Sequence, residues 1–444
     1  MNMLSGSMWD KILLFALPLA ASSILQQLFN SADVAIVGRF AGKQALAAVG
    51  SNGPIINLLV NIFVGLSIGS NVVISRYIGQ GNEIRIRRAV HTSILLAVLS
   101  GLFVAVLGIL ITKPMLSAMS TPSDIIDLSA KYLKIYFLGM PFLMLYNFSA
   151  AILRSRGDTR RPLICLTISG VLNVLLNLLF VIVLHMDVDG VAIATVISQM
   201  ASAGMLIFLL IRENGALKLN LKHLGIDVRI LKEIAKIGVP SGLQGMVFSA
   251  SNVCIQSSMN SLGSTVVAAS SAAINFEIYV YYMINGFSNA TVTFTGQNYG
   301  AGNQKRCTAV VWNCLGLGAI FTGFMALLFI IFSGPAAQIY TNDPAVMELA
   351  LERMRLVLCF QIINLSIEVF SGAMRGLGYS LIPALISMLG ICGVRLIWVA
   401  TAFPVSPTFL TLIAVYPISW GITASAIFAS YFIVRKRAYA KIKL

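Results

Sequence analysis

The chain has 444 residues, of which 58% are hydrophobic and only 11% are charged, and its mean hydropathy is +0.87. Because a soluble globular domain carries about 25% charged residues, this composition excludes the soluble classes and predicts a polytopic membrane protein. The net charge of +15 would indicate nucleic-acid binding in a soluble chain. Here most Lys and Arg residues lie in segments that share one side of the membrane with the termini, so the positive-inside rule places both termini in the cytoplasm and no nucleic-acid partner is expected.

Twelve apolar runs are long enough to cross a hydrocarbon core of about 30 Å. We therefore predict transmembrane helices, numbered 1 to 12, at residues 12–38, 52–75, 89–112, 131–153, 162–184, 190–211, 236–260, 272–296, 308–332, 351–374, 382–404 and 410–434.

The sequence also contains an internal repeat. A Gly-x-Gly-Asn motif at residues 79–82 recurs at 300–303, an offset of 221 residues, and Pro18 maps onto Pro240 at 222. The motif predicts a tight turn followed by a helix N-cap. Two halves of six helices share one orientation, so the predicted fold is all-α, with two parallel six-helix lobes. We place the lobes at residues 1–211 and 236–444, joined by a cytoplasmic linker at 212–235 that lies along the membrane surface.

One acid, Asp33, interrupts the first apolar run. A charge in hydrocarbon costs about 2.5–3.5 kcal/mol, so an intramembrane acid marks a functional site, the alternative being a position in the wet interface. Residues three or four apart share a helix face. Such stripes predict a polar pocket in the N-terminal lobe, formed by Gln26, Asn30 and Asp33 on helix 1, Asn173 and Asn177 on helix 5, and Thr195 on helix 6. At the offset of Pro18, Asn30 recurs as Asn252 but Asp33 falls on Ile255, so the acid belongs to one lobe only.

The C-terminal lobe has polar stripes of its own. Together with Gln26 and Asn30 of helix 1, they predict a substrate cavity lined by Glu277, Tyr281 and Asn285 on helix 8 and by Asn364 and Glu368 on helix 10. Glu277, near the outer end of helix 8, can alternatively be a solvated residue at the cavity mouth. Arg395 lies about mid-span on helix 11, and a buried ion pair with Glu368 is the structural alternative to a transport role for these two residues.

Residues 65–69 fit the Gly-x-Ser-x-Gly pattern of hydrolases, but they lie within a predicted membrane helix and the three histidines fall in loops or at helix ends. Their glycine spacing is typical of close helix packing. Neither a Walker lysine nor a His-Glu-x-x-His motif is present. We therefore expect no enzyme, no cofactor and no resident metal.

Several motifs resemble the multidrug and toxic compound extrusion (MATE) family over essentially the whole chain. They are the Pro of helix 1 followed by FNSADVAIVGRFAG at 29–42, YIGQGN at 77–82 with NYGAGN at 298–303, and LRSRGDTRRP at 153–162 with MRGLGYSLIP at 374–383. The resemblance implies a cell-membrane antiporter that alternates between outward and inward access. Such a protein exports organic cations or amphipathic drugs against an inward flow of H⁺ or Na⁺, and we expect it to act as a monomer in membrane lipid.

The resemblance also implies a cation-coupling site. The family places an Asp on helix 1, an Asn and often an Asp four residues later on helix 5, and a Thr on helix 6, which correspond to Asp33, Asn173, Asn177 and Thr195 here. Asn177 departs from the pattern because it removes one carboxylate, which favours H⁺ coupling and leaves Na⁺ at Asp33 open. The alternatives are a lipid-linked oligosaccharide flippase of the same superfamily, expected to have more spans and a strongly cationic cavity, and a non-transporting receptor or scaffold, which would need no inward-facing acids.

Overall fold

The computed structural model of the chain describes residues 2–119, 121–338 and 343–441. Over these residues the protein is helical and contains no strand. The α-helices are α1 Trp9–Ile36, α2 Lys43–Ser51, α3 Gly53–Gly79, α4 Glu83–Ala118, α5 Ile126–Leu138, α6 Met140–Ser155, α7 Arg160–Leu178, α8 Val188–Arg212, α9 Val228–Ser261, α10 Ser264–Gly300, α11 Gln304–Ile331, α12 Ser333–Gln338, α13 Pro344–Cys359, α14 Gln361–Gly376, α15 Leu381–Ser387, α16 Val394–Val405 and α17 Phe409–Ala440. Three π-helical segments extend α1, α7 and α15, at Val37–Ala41, Leu179–Val183 and Met388–Gly393. Two 3-10 turns, Gly215–Leu217 and Leu221–His223, lie between α8 and α9.

Each of the twelve predicted spans corresponds to a long helix or to a helix pair. Within the described residues, eight helical segments are long and apolar enough to cross a membrane. Two further spans are bent pairs, α5 with α6 at 46° and α13 with α14 at 42°. The remaining two, α9 and α10, have 34 and 37 residues and so have sufficient length. Their polar residues leave them less apolar than the other spans.

The chain divides into two compact units. Of the described residues, unit 1 contains 21–242 and unit 2 contains 2–20 and 243–441. The two division points in the chain are 222 residues apart, which equals the repeat offset of the prolines. The first turns of α1 belong to unit 2 because their apolar side chains are buried there. Phe15, for example, packs edge-to-face against Phe294 with ring centroids 5.8 Å apart.

The repeat is visible in the turns of the backbone. Three glycine pairs, each 221 residues apart, have positive φ angles: Gly42 and Gly263 (91° and 99°), Gly81 and Gly302 (67° and 73°), and Gly157 and Gly378 (90° and 83°). A residue with a Cβ is strained at such angles, so these turns require glycine. Asn82 and Asn303 then cap the next helix, accepting hydrogen bonds from the N–H groups of Arg85 and Arg306 at 3.0 and 3.1 Å. The predicted turn and cap are confirmed in both halves.

The Gly-x-Ser-x-Gly segment of α3 is a helix-packing surface. A Cβ atom on Gly65 would overlap the backbone of Gly238 and Gly242 on the neighbouring part of α9 in unit 1. The hydroxyl of Ser67 donates a hydrogen bond to the carbonyl oxygen of Val64 in its own helix, at 2.7 Å. Close packing of the glycines, the interpretation favoured from the sequence, is confirmed.

Glu213 fixes the start of the segment between α8 and α9. Its carboxylate accepts hydrogen bonds from Nη1 of Arg156 and from Nη1 of Arg161, each at 2.7 Å. Burial raises the pKa of Glu213, but the hydrogen bond and charge of Arg161, together with the charge of Arg156, outweigh burial and hold the pKa below its ordinary value. The carboxylate is therefore charged in the folded protein at neutral pH and holds this segment to α6 and α7.

Candidate functional site

A cavity of about 80 Å³ lies in unit 1 between α1, α6, α7 and α8. Five of the residues predicted from the polar stripes line it: Gln26, Asn30, Asp33, Asn173 and Thr195. The apolar part of the lining comes from Phe29, Leu143 and Leu166. A cavity of this size is large enough for water molecules or a small cation.

A close contact between α1 and α7 positions the acid of this site. The ring of Phe29 on α1 occupies the space where a Cβ atom on Gly170 of α7 would lie, so only glycine permits this approach. Asp33 follows Phe29 by one helical turn, and Asn173 and Asn177 follow Gly170 by about one and two turns. The contact therefore places the polar stripes of the two helices side by side.

A chain of hydrogen bonds connects the four residues predicted to couple the cation. Nδ2 of Asn177 donates to Oδ1 of Asp33 and, at 3.3 Å, to Oδ1 of Asn173. Nδ2 of Asn173 donates to the hydroxyl of Thr195 at 3.5 Å, and that hydroxyl donates to the carbonyl oxygen of Val191 at 2.9 Å. Asn177 and Asn173 are buried, whereas Asp33 is half-buried. The structure thus brings all four residues together, while their role in coupling stays a prediction.

The site presents oxygen atoms suited to a hard cation, but the amide of Asn177 faces the wrong way for one. An ionised carboxylate only accepts hydrogen bonds, so the nitrogen of Asn177 must face Asp33. The amide oxygen Oδ1 of Asn177 is buried and has no hydrogen-bond partner among the described residues. A cation bound between the two side chains would require rotation of this amide. A proton on the second carboxylate oxygen of Asp33 would leave the hydrogen bond in place.

The two helices that supply Asp33 and Asn177 both change from α to π geometry beyond the site. The π-helical segments Val37–Ala41 and Leu179–Val183 begin four and two residues after these side chains. Val37 and Val181 are buried in one apolar cluster of unit 1. Wide π turns are frequent at functional sites, and here they mark the end of each polar stripe.

In unit 2, Glu277 forms a buried ion pair that the sequence did not reveal. Arg353 on α13 is 1% exposed, and its Nε and Nη2 donate to the two carboxylate oxygens of Glu277 at 2.7 and 3.0 Å. Its Nη1 donates to the hydroxyl of Ser270 at 2.7 Å. Glu277 is therefore not the solvated mouth residue considered from the sequence, because it is buried and joins α10 to α13.

The predicted ion pair between Glu368 and Arg395 is not formed, and this prediction was wrong. Oε2 of Glu368 lies 4.0 Å from Nη1 of Arg375 and accepts a hydrogen bond from the hydroxyl of Ser288 at 3.2 Å. The physical reason is local, since Arg375 follows Glu368 by two turns on the same face of α14.

Arg395 has neutral partners instead. Its Nη1 donates to Oδ1 of Asn252 at 3.2 Å, and its guanidinium carbon lies 4.4 Å from the ring centroid of Tyr416. Its Nε is buried without a hydrogen-bond partner among the described residues. A contact with the Tyr416 ring and one hydrogen bond to the side-chain amide of Asn252 thus take the place of the expected carboxylate beside this cation.

Of the other residues predicted for the substrate cavity, Gln26 and Asn30 lie on α1 at the cavity of unit 1. The remaining ones lie on α10 and α14 and form hydrogen bonds within their own helices. Tyr281 and Asn285 are half-buried, and Asn285 accepts a hydrogen bond from Asn289 at 2.6 Å. Asn364 is buried and donates to Gln361 at 3.2 Å. Their role in substrate binding stays a prediction.

The sequence matches one family model twice. The model MatE covers residues 18–179 and 240–401, two blocks that are 222 residues apart. The chain belongs to the MatE family. The resemblance inferred from the motifs is confirmed, and the offset between the two MatE blocks agrees with the repeat that the prolines define.

Relatives of this MatE protein are similar along most of the chain. The probable multidrug resistance protein YoeA of Bacillus subtilis is 30% identical over 97% of this chain and 95% of its own length. The probable multidrug resistance protein NorM of Thermotoga maritima is 28% identical, over 87% and 84% of the two chains. A solved structure of a MOP superfamily transporter from Pyrococcus furiosus superposes with a TM-score of 0.90 at 20% identity, covering 100% of this chain and 98% of that one. The MatE chain is therefore a multi-pass, all-α membrane protein of the two-lobe transporter fold.

The charged residue of this MatE chain that sequence analysis missed is Arg353. Arg353 and Arg355 look alike in the sequence, because both lie in the first turns of predicted helix 10 at 351–374. Helical periodicity held a signal, because Arg353 shares a buried face with Met354, Val357 and Leu358 whereas Arg355 is exposed.

Proposed function

We propose that this MatE protein is a secondary active antiporter that exports organic cations or amphipathic drugs in exchange for H⁺ by alternating access, with Na⁺ as the alternative coupling ion. The observation that carries the proposal is the hydrogen-bonded group of Asp33, Asn177, Asn173 and Thr195 at a cavity in unit 1. The names of the B. subtilis and T. maritima relatives, both probable multidrug resistance proteins, support export of drugs. In this proposal the protein lies in the cell membrane with both termini in the cytoplasm. It acts as a monomer without a cofactor, and it transports without catalysing a reaction.

The cavity is the size of an ion site. At about 80 Å³ it is well below the roughly 300–1,000 Å³ of pockets that bind drug-sized ligands. We therefore assign the coupling ion, and not the drug, to Asp33 and its neighbours. Exported compounds would bind elsewhere in the transporter, where the stripes of α10 and α14 supply candidate polar groups.

Burial gives Asp33 a reason to exchange its proton. A low-dielectric environment disfavours a bare carboxylate, so binding of H⁺ or of a cation offsets the cost of burial. A membrane potential of 100 mV contributes about 2.3 kcal/mol for each positive charge that moves inward. Asp33 would be loaded when the site opens to the outside and emptied when it opens to the cytoplasm, which couples ion entry to drug export.

The orientation of the Asn177 amide favours H⁺ over Na⁺ in this proposal. Its nitrogen faces Asp33, and the site contains a single carboxylate to offset the charge of a metal cation. Oxygen ligands are what hard cations require. Sodium binding would therefore need the amide to turn its oxygen toward Asp33, whereas protonation would not.

Efflux from proteoliposomes tests the proposal. A cationic dye is loaded, and an H⁺ gradient and a Na⁺ gradient are imposed separately. We expect the H⁺ gradient to drive efflux, and Asp33→Asn to reduce the gradient-driven rate by about tenfold or more, since the variant cannot exchange a proton at the site. Asp124→Asn, which changes an exposed acid outside the site, is the matched control and should retain the wild-type rate.

Three results would count against the proposal. Wild-type efflux by a well-inserted Asp33→Asn variant would remove Asp33 from the coupling mechanism. Efflux driven by Na⁺ alone would assign the alternative ion. Absence of efflux of any dye under both gradients would favour a flippase or a receptor over an antiporter.

A further inference from the structure

A second cavity, of about 610 Å³, lies in unit 1 beside the first turns of α4. Its other wall is the segment 213–227, which joins α8 to α9 and contains the two 3-10 turns. The volume falls within the roughly 300–1,000 Å³ of small-molecule sites. None of its lining residues belongs to the proposed transport site.

Hydrogen bonds hold the two walls of this cavity together. His91 on α4 is 4% exposed, and its Nδ1 lies 2.6 Å from the carbonyl oxygen of Arg87, so Nδ1 is the donor. Nε2 lies 3.1 Å from the backbone nitrogen and 3.2 Å from the carbonyl oxygen of Asn220. The hydroxyl of Thr92 accepts the N–H of Asp227 at 3.0 Å. The cavity is therefore a formed feature of the fold, with its loop wall attached to α4 at two points.

The lining of the cavity carries excess positive charge. Arg88 is paired with Asp227 at 3.5 Å. Arg87 and Lys218 are exposed and form no ion pair with any residue that the structure describes. His223 also lines the cavity. Asp227, which is paired with Arg88, is the one acid among the lining residues that the structure describes. The guanidinium of Arg87 and the ammonium group of Lys218 have no such acidic partner, and groups of these two kinds are suited to a phosphate group.

The two elements that form the cavity also carry exposed apolar side chains, of which Ile226 lines the cavity itself. Ile84 on α4 is 69% exposed, and Leu221 and Ile226 in the joining segment are 54% and 40% exposed. Basic residues beside exposed apolar residues are typical of segments that lie at the bilayer interface. The apolar span of α4 begins directly after Arg88, so the cavity lies at the level of lipid headgroups.

We propose that this cavity binds the phosphate group of an anionic phospholipid. Arg87 and Lys218 contact the phosphate, and the exposed apolar side chains contact the lipid chains. A soluble phosphate compound would present the same group to the same two residues. Exposed Ile226 in the cavity, with exposed Ile84 and Leu221 on the same two elements, favours the lipid. This site is independent of the proposed antiport.

Lipid binding to the purified full-length protein tests the proposal. Phosphatidylglycerol and the zwitterionic phosphatidylcholine are titrated separately, and bound lipid is counted by native mass spectrometry. A basic residue near a membrane surface contributes about 1 kcal/mol, so Arg87→Gln and Lys218→Gln should each weaken phosphatidylglycerol binding about fivefold, and the double variant about 25-fold. Lys222→Gln is the matched control, because Lys222 is exposed in the same segment but does not line the cavity. Its affinity should stay within about twofold of wild type.

Three results would overturn the lipid site. Equal binding of both lipids, or an equal loss in Lys222→Gln, would show a diffuse charge effect and no specific phosphate contact. Complete displacement of phosphatidylglycerol by millimolar inorganic phosphate would assign the cavity to soluble phosphate compounds. Retained phosphatidylglycerol selectivity in the presence of inorganic phosphate supports the proposal.

Discussion

The buried ion pair between Arg353 and Glu277 gives a prediction about the stability of unit 2. Arg353 makes three hydrogen bonds through its guanidinium, two of them to Glu277, and is 1% exposed. Hydrogen bonds to charged groups contribute about 1.5–3 kcal/mol each. Removal of one member of a buried pair costs about 3–5 kcal/mol, since the other charge is left buried without a partner. We expect Arg353→Met to lower the free energy of unfolding by about 4 kcal/mol.

A double-mutant cycle separates this pairing from ordinary packing. Glu277→Gln should cost a similar amount, because it leaves the Arg353 cation buried. The double variant removes both charges and should be more stable than either single variant, with an interaction energy of about 3 kcal/mol. The measurement is thermal unfolding in detergent, followed by tryptophan fluorescence. Arg355→Met, on the exposed side of α13, should change the unfolding free energy by less than about 0.5 kcal/mol. Additive losses in the double variant, or an equal loss in Arg355→Met, would refute the pair.

Two further predictions concern unit 1. Gly65→Ala should lower the thermal midpoint, because its Cβ would overlap the backbone of Gly238, whereas Gly204→Ala on α8 meets open space and should be neutral or slightly stabilising. An unchanged midpoint for Gly65→Ala would contradict the close packing. Because the pKa of Glu213 is lowered, its contribution to stability is complete above the unfolded pKa of about 4.3 and is lost as the pH falls through the folded pKa. Glu213→Gln should therefore have a lower midpoint than wild type at about pH 6 and approach it below about pH 4, whereas a difference that is constant across this range would rule out the linkage.

The helices could be predicted from the sequence because apolar length and turn residues are local properties. A run of about 20 apolar residues has few alternatives to a membrane helix. Glycines at positive φ, such as Gly81 and Gly302, act within a single turn. The bends and π segments could not be predicted this way. The break between α5 and α6 and the π turn after α7 occur inside continuous apolar runs, where hydropathy carries no signal.

Part of the candidate site could also be predicted, because the spacing of polar residues along one helix is a local property of the sequence. Asp33, Asn173 and Asn177 follow helical spacing, so each stripe could be identified on its own helix. That α1 meets α7 depends on Phe29 fitting against Gly170, a tertiary contact that spacing does not encode. The predicted ion pair between Glu368 and Arg395 was wrong because such a pair depends on the distance between two helices, which the sequence does not give.

The repeat preserves the glycine turns of the two units but changes the charge at equivalent positions of the helices. At the offset of 222 residues, Asn173 of unit 1 corresponds to Arg395 of unit 2, and Asp33 corresponds to Ile255. Ile255 is buried in an apolar cluster with Phe409 and Leu412. The residues of this cluster would give a carboxylate no polar partner.

The side-chain amide of Asn252, the counterpart of Asn30, explains how unit 2 accommodates the Arg395 cation. Asn30 lines the cavity in unit 1, and its counterpart Asn252 accepts the hydrogen bond of Arg395. A fixed positive charge repels a proton or a metal ion, so this position in unit 2 is unsuited to a coupling cation. Of the two repeat-related positions, only the one with Asp33 retains a group that can exchange H⁺. Under the proposed antiport, this pair of positions therefore contributes one proton to each transport cycle.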